Sequence, residues 1–145
     1  MSGVRFALAA AAGVAVLALA GCGDKYGGRV EVDGNVKLKG QPLKDGIVIF
    51  EPTGGVDTGA TAPIKDGAYK IARENGLKPG KYLIRVTSGD IKTPVNALNP
   101  DEPPGPGGGN NVMAKERVPA DWNTRSKQER EVKNENPNKI DFDIP

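Results

Sequence analysis

The stretch RVEVDGNVKLKGQPLKDGIVIFEP, residues 29–52, decides the fold. Val30 and Val32 alternate with Glu31 and Asp33, and Val36 and Leu38 flank Lys37. A period of two marks a strand with one buried face, and Asp33-Gly34 in its middle predicts a bend or bulge. KGQPL supplies a turn. GIVIFEP is a β-branched and aromatic run stopped by Pro52, with Val48 and Phe50 facing one way and Ile47 and Ile49 the other.

The same grammar continues to Thr87. Lys65-Asp66-Gly67 reads as a hairpin turn whose last two residues tolerate positive φ, and AYKIA as the returning strand. Pro79-Gly80 starts another turn, followed by a strand in which Tyr82, Ile84 and Val86 alternate with Leu83 and Arg85. Strands at intervals of about ten residues, joined by Gly, Pro and Asp turns, predict an all-β chain built as an antiparallel β-sandwich or small barrel. Tyr69, Tyr82, Phe50 and Phe142 are expected in or at the edge of its core.

The character changes after Ser88. Residues 88–117 hold five prolines and a GPGGG run, a composition that cannot pack a core, and read as a long Pro/Gly-rich loop. Regularity returns in NKIDFDIP, where Ile140, Phe142 and Ile144 alternate with Asp141 and Asp143 as a final strand. Residues 126–134 stay open between helix, which their Lys, Gln, Glu and Arg content favours, and strand, which their neighbours favour.

The first 21 residues differ from all of this. Arg5 is followed by an apolar stretch from Phe6 to Leu19 and by the small residues Ala20 and Gly21. The stretch is short of the roughly 20 residues a spanning helix needs, and the order basic, apolar, small is that of a secretion signal. Directly after it stands Cys22, the one cysteine of the 145-residue chain. An intramolecular disulfide is therefore impossible, and with no histidine anywhere, Cys–His or Ser–His–Asp catalysis and the usual zinc and copper sites are excluded. No ligand-spaced acidic run for calcium is present, so no metal or other cofactor is expected. Twenty basic against eighteen acidic residues are interleaved along the chain, which argues against a nucleic-acid partner. Carboxylates such as Asp45, Glu51 and Asp57 lie mostly in turns, and no catalytic residue is assigned.

Leu19-Ala20-Gly21-Cys22 resembles the lipobox of bacterial lipoproteins. The resemblance implies that residues 1–21 are a lipoprotein signal peptide, that Cys22 carries a diacylglycerol on sulfur, and that cleavage leaves it first in the mature chain. Residues 22–28 then read as a flexible tether and 29–145 as a single domain. Gly23 rather than Asp follows the cysteine, which favours the outer membrane over inner-membrane retention.

Residues 29–87 resemble the carboxypeptidase regulatory-like domain, a transthyretin-like sandwich, on four pieces: Gly40–Leu43, Val48–Pro52, Asp66–Tyr69 and Pro79–Tyr82. The tail is similar to that of small planctomycete-type lipoproteins at Val118, Pro119, Asn123, Ser126, Asn138, Asp141, Phe142 and Asp143. Trp122 stands where Tyr is usual, and Lys127 and Gln128 replace a Thr-Leu pair. The expected function is a non-catalytic, lipid-anchored module of the cell envelope that docks to an envelope protein or surface polymer. The alternative is a carbohydrate-binding module with Trp122 as the stacking platform, a residue whose other reading is an anchor of the tail against the sandwich.

Overall fold

The computed structural model describes residues 24–96, 101 and 112–145. Among them there is no α-helix. Eleven strands run in chain order: β1 (Val32–Leu38), β2 (Gln41–Pro42), β3 (Asp45–Pro52), β4 (Ala60–Lys65), β5 (Ala68–Ile71), β6 (Gly80–Thr87), β7 (Gly89–Asn96), β8 (Val112–Glu116), β9 (Gln128–Val132), β10 (Asn138–Lys139) and β11 (Phe142–Ile144). Short 3-10 turns lie at Arg73–Asn75 and Ala120–Trp122. Nine strands form a curled sheet in the order β10-β1-β5-β4-β3-β6-β9, with β2 and β11 also paired to β1. All pairings are antiparallel except those of β1 with β10 and β11.

The period-two pattern explains which face is inside. β3 is flanked by β4 and β6, with Val48 opposite Ala62 and Val86, and Phe50 opposite Ala60 and Ile84. Val48, Phe50, Tyr82, Ile84 and Val86 are buried, whereas Ile47 on the other face is 43% exposed. Each buried side chain of this size contributes roughly 1.5–3 kcal/mol relative to exposure. Asp66 and Gly67 take positive φ, 50° and 81°, and close the β4–β5 hairpin as expected.

Three expectations change, and one reading that the sequence left open, at residues 128–132, is decided. First, β1 runs through Asp33-Gly34 without a bulge: Val32, Asp33, Gly34 and Asn35 pair in unbroken register with β5. The irregularity lies in the partner, between β10 and β11. A Cβ on Gly34 would sit 1.9 Å from the Ile140 carbonyl oxygen, so the glycine serves a close backbone approach and not a bend.

Second, the Pro/Gly-rich loop expected over 88–117 is bounded by structure, because β7 and β8 pair as a two-stranded ribbon. The pairing shifts register between Asp90 and Pro94, where proline has no N–H to offer. The ribbon's base is held to the sheet at buried Ser88, whose hydroxyl donates to the Asp45 carbonyl at 2.5 Å. Arg117 adds bonds to the Asp45 carboxylate at 2.6 Å and to the Ser88 hydroxyl at 2.7 Å.

Third, residues 128–132 are strand, in five-residue register with β6, so sheet pairing overrides helix propensity. Fourth, the tether expected over 22–28 is, from Asp24 onward, a hydrogen-bonded turn. The Asp24 carboxylate accepts from the backbone N–H groups of Tyr26 and Gly28.

The curl of the sheet converges on Phe142. Its ring centre lies 5.9 Å from Tyr69, 6.2 Å from Phe50 and 6.2 Å from Trp122, and the Arg130 guanidinium stands 5.6 Å above it. Strands remote in the sheet order, β11 beside β1 and β3 and β9 at the other side, are thereby packed together. Phe142→Ala is expected to cost about 3–5 kcal/mol, the range for emptying a buried phenylalanine site. Urea denaturation measures it, and a loss under about 1 kcal/mol would show that the core closes without this ring.

Candidate functional site

The outer face of β1 carries Asp33, Asn35 and Lys37, the positions that alternate with its buried valines. The chain end returns beside it in parallel, and that pairing is interrupted. Val32 and Asp33 pair with Asn138 and Lys139, and pairing resumes at Val36 with Phe142. Between the two ladders Ile140 N–H still donates to the Asp33 carbonyl at 2.8 Å. Asp141 then substitutes its side chain for the missing backbone acceptor. Its Oδ1 receives the Asn35 backbone N–H at 2.7 Å and the Asn35 amide at 3.2 Å.

Two shallow depressions adjoin at Asn35. One, of about 280 Å³, is lined by Asn35, Lys37, Asp141, Phe142 and Asp143. The other, of about 240 Å³, is lined by residues including Asp33, Asn35, Tyr69, Lys70 and Lys139. Asp33 is flanked in register by Lys70 on β5 and Lys139 on β10. Lys70 is engaged with Glu31 at 2.9 Å, and that pairing raises the Lys70 pKa. Asp33 Oδ1 is buried without a hydrogen-bond partner. The chemistry on offer is carboxylates, an amide and ammonium groups beside apolar surface from Phe142, Ala68 and the Tyr69 ring. It suits a ligand with many hydroxyl or amide groups.

Tyr69 closes the floor. Its hydroxyl donates to the Ile140 carbonyl at 2.7 Å, across the gap that Gly34 leaves open. Burial first, and then the negative charges of Asp141 and Asp33, push the phenol well above its ordinary value of 10.0.

The residues singled out from sequence fare differently. Cys22, Leu19, Ala20 and Gly21 lie outside the described residues. Trp122 does not form a platform: it is 8% exposed and packs edge-on against Phe142, so no ring face is open for a sugar. The reason is that the 3-10 turn Ala120–Trp122 brings the indole into the hydrophobic core beside Phe142. Asp45, Glu51 and Asp57 do not converge either. Each faces its own cation, Arg117 at 2.6 Å, Arg85 at 3.0 Å and Lys78 at 3.0 Å, and the Lys78 ammonium lowers the Asp57 pKa. Among the described residues no three His, Cys, Asp or Glu side chains come together as a metal-ligating group. The β1 cleft was missed because its halves are about a hundred residues apart. The available signal was the amide and acid on the solvent side of β1, which by itself is what any exposed strand face shows.

Compared with protein-family models, with curated proteins and with solved structures, the chain matches none.

Because the Tyr69 phenol is held neutral in the folded state, its contribution to stability is complete below pH 10.0 and is lost as pH rises above that value. Alkaline titration of tyrosinate absorbance is expected to leave Tyr69 un-ionised until the protein unfolds. Tyr69→Phe should remove the associated step and cost about 1 kcal/mol near neutral pH, the usual net value of one hydrogen bond. A Tyr69 that ionises at the ordinary pH in the folded chain would contradict this.

Proposed function

We propose that this chain is a non-catalytic, lipid-anchored module of the bacterial cell envelope, attached through Cys22 and docking an envelope protein or surface polymer. Residues 1–21 are its signal peptide, Leu19, Ala20 and Gly21 its lipobox, and the outer membrane the favoured destination. The observation that carries the reading is Leu19-Ala20-Gly21-Cys22 standing directly behind the apolar stretch from Phe6 to Leu19. Among the described residues, a turn opens at Asp24, two residues after Cys22, and the core runs from Val30 to Ile144. Each acyl methylene that enters a bilayer contributes about 0.8 kcal/mol, so several chains together anchor firmly.

The fold belongs to the same proposal. A carboxypeptidase regulatory-like, transthyretin-like sandwich needs the curled sheet to part into two layers, and the β4–β5 hairpin supports that. β4 and β5 share a single register pair, Lys65 with Ala68, and a sheet joined so briefly at that hairpin suits a parting into two layers there.

A carbohydrate-binding role is favoured by a separate observation, the exposed Asn35 standing with Asp33 and Lys139 around one depression. Sugar hydroxyls both donate and accept, which matches an acid and an amine on one wall. The proposed sugar surface is accordingly the β1 cleft and not Trp122.

Expression in a diderm bacterium should yield a membrane-bound chain whose intact mass starts at Cys22 and includes acyl groups. Cys22→Ala should leave it unacylated and recovered in the aqueous phase of a detergent partition. An unmodified Cys22 in membrane extracts would refute the anchor. On a glycan array, Asp33→Asn combined with Asn35→Ala should reduce any bound signal at least about tenfold, the equivalent of roughly 1.4 kcal/mol. A signal unchanged by that pair would remove the cleft from the recognition surface.

A further inference from the structure

Only Gly23 separates Cys22 from Asp24, and Asp24 is clamped. Its carboxylate takes the N–H of Tyr26 at 3.2 Å, the N–H of Gly28 at 2.7 Å and the Arg73 guanidinium at 2.9 Å. The two backbone bonds first, and Arg73 after them, hold the Asp24 carboxyl below its ordinary range. Arg73 also donates from Nε to the Arg29 carbonyl at 2.8 Å, and its guanidinium lies 4.9 Å from the centre of the Tyr26 ring. One side chain thus ties both ends of the turn to the 3-10 turn Arg73–Asn75. The reciprocal backbone bonds between Val30 and Leu77 close the strand that follows.

We propose that the domain is docked on the membrane that holds its acyl chains, with the end formed by residues 25–28 and Arg73–Asn75 seated against the phospholipid headgroups. This rests on the acylation of Cys22 proposed above. Two backbone steps reach at most about 7 Å, less than the thickness of a headgroup layer plus a loose leash. The clamp removes the slack that residues 24–29 would otherwise add. At the docked end the Tyr26 ring has the Lys25 ammonium 5.6 Å and the Arg73 guanidinium 4.9 Å from its centre; Arg73 is paired with Asp24, and Glu74 beside it is exposed. The Lys25 ammonium attracts lipid phosphate, and a tyrosine ring suits the boundary between headgroup and chain. β1 leads away from this end, so Gln41 in β2 lies at the far end, about 20 Å off along a seven-residue strand.

The test uses the full lipidated chain in phosphatidylcholine–phosphatidylglycerol vesicles whose headgroups carry a nitroxide quencher. Acylation occupies the Cys22 thiol, so a fluorophore can be placed on Asn75→Cys or, separately, on Gln41→Cys, both exposed positions. A reach of about 7 Å against about 20 Å predicts quenching at Asn75 at least about threefold that at Gln41. Arg73→Gln should free the turn and bring the ratio toward one. Should that variant not fold by circular dichroism, six Gly/Ser residues inserted between Gly23 and Asp24 lengthen the leash without touching the clamp and should have the same effect. Equal quenching at the two positions of the parent chain, with Cys22 shown acylated by intact mass, overturns the docked pose alone. An unacylated Cys22 overturns the anchor and the pose together.

Discussion

The fold depends on the seating of one ring. Phe142 lies three residues from the end of the chain, yet its neighbours come from β3, β5, β9 and the turn before β9. A curled sheet with a short core has few side chains large enough to fill the space between its two ends. Here only three phenylalanines, three tyrosines and one tryptophan are present in 145 residues. Five of those rings, Phe50, Tyr69, Tyr82, Trp122 and Phe142, form one contiguous group. With so little aromatic volume, the position of the last strand is not a finishing detail but a condition for closing the core.

Seating Phe142 sets the geometry of the cleft. To bring that ring inward and keep Val36 in register with it, the returning chain must depart from the ladder that Asn138 and Lys139 begin. The departure at Ile140 and Asp141 would leave backbone groups unanswered. Three residues answer them: Gly34 by giving room, Tyr69 by donating to the Ile140 carbonyl, and Asp141 by accepting from Asn35. Asn138, buried, fixes the approach by bonding the backbone of Lys133 and Glu135. The same detour opens the outer surface beside Asn35. Packing inside and a recess outside are two consequences of one interruption in pairing.

How much of this was legible follows from which interactions are local. β3 and β6 were readable because alternation is a property of consecutive residues and one face is dry. Asp66-Gly67 was readable because positive φ is a demand on two adjacent residues. Gly34 was misread as a bend because its reason, the Ile140 carbonyl, is more than a hundred residues away. Residues 128–132 hide their strand character because only Val132 of the five is buried, and the pairing edge of β6 decides their state. The ribbon at 89–96 and 112–116 needs no core, so composition could not reveal it. At 24–28, short polar residues looked like a leash because the partner that immobilises them, Arg73, lies forty-nine positions downstream. Trp122 stayed open between platform and anchor for a related reason: whether an indole stacks on a ligand or on the protein depends on whether another ring already stands beside it.

The two ends of β1 connect the proposed anchor to the proposed recognition surface. The strand begins next to the clamped turn and carries Asp33, Asn35 and Lys37 along its outer face as it leads away. In a domain docked by the Asp24 end, that face stands beside the membrane normal and is not pressed against lipid. The cleft is then open to a polymer running over the membrane. A loose leash would offer it in every orientation, including those in which the bilayer covers it. Clamping Asp24 therefore does more than shorten a linker. In the proposed pose it would restrict the domain to orientations in which Asp33 and Asn35 can be reached, and that restriction would lower the entropic cost of a polymer contact.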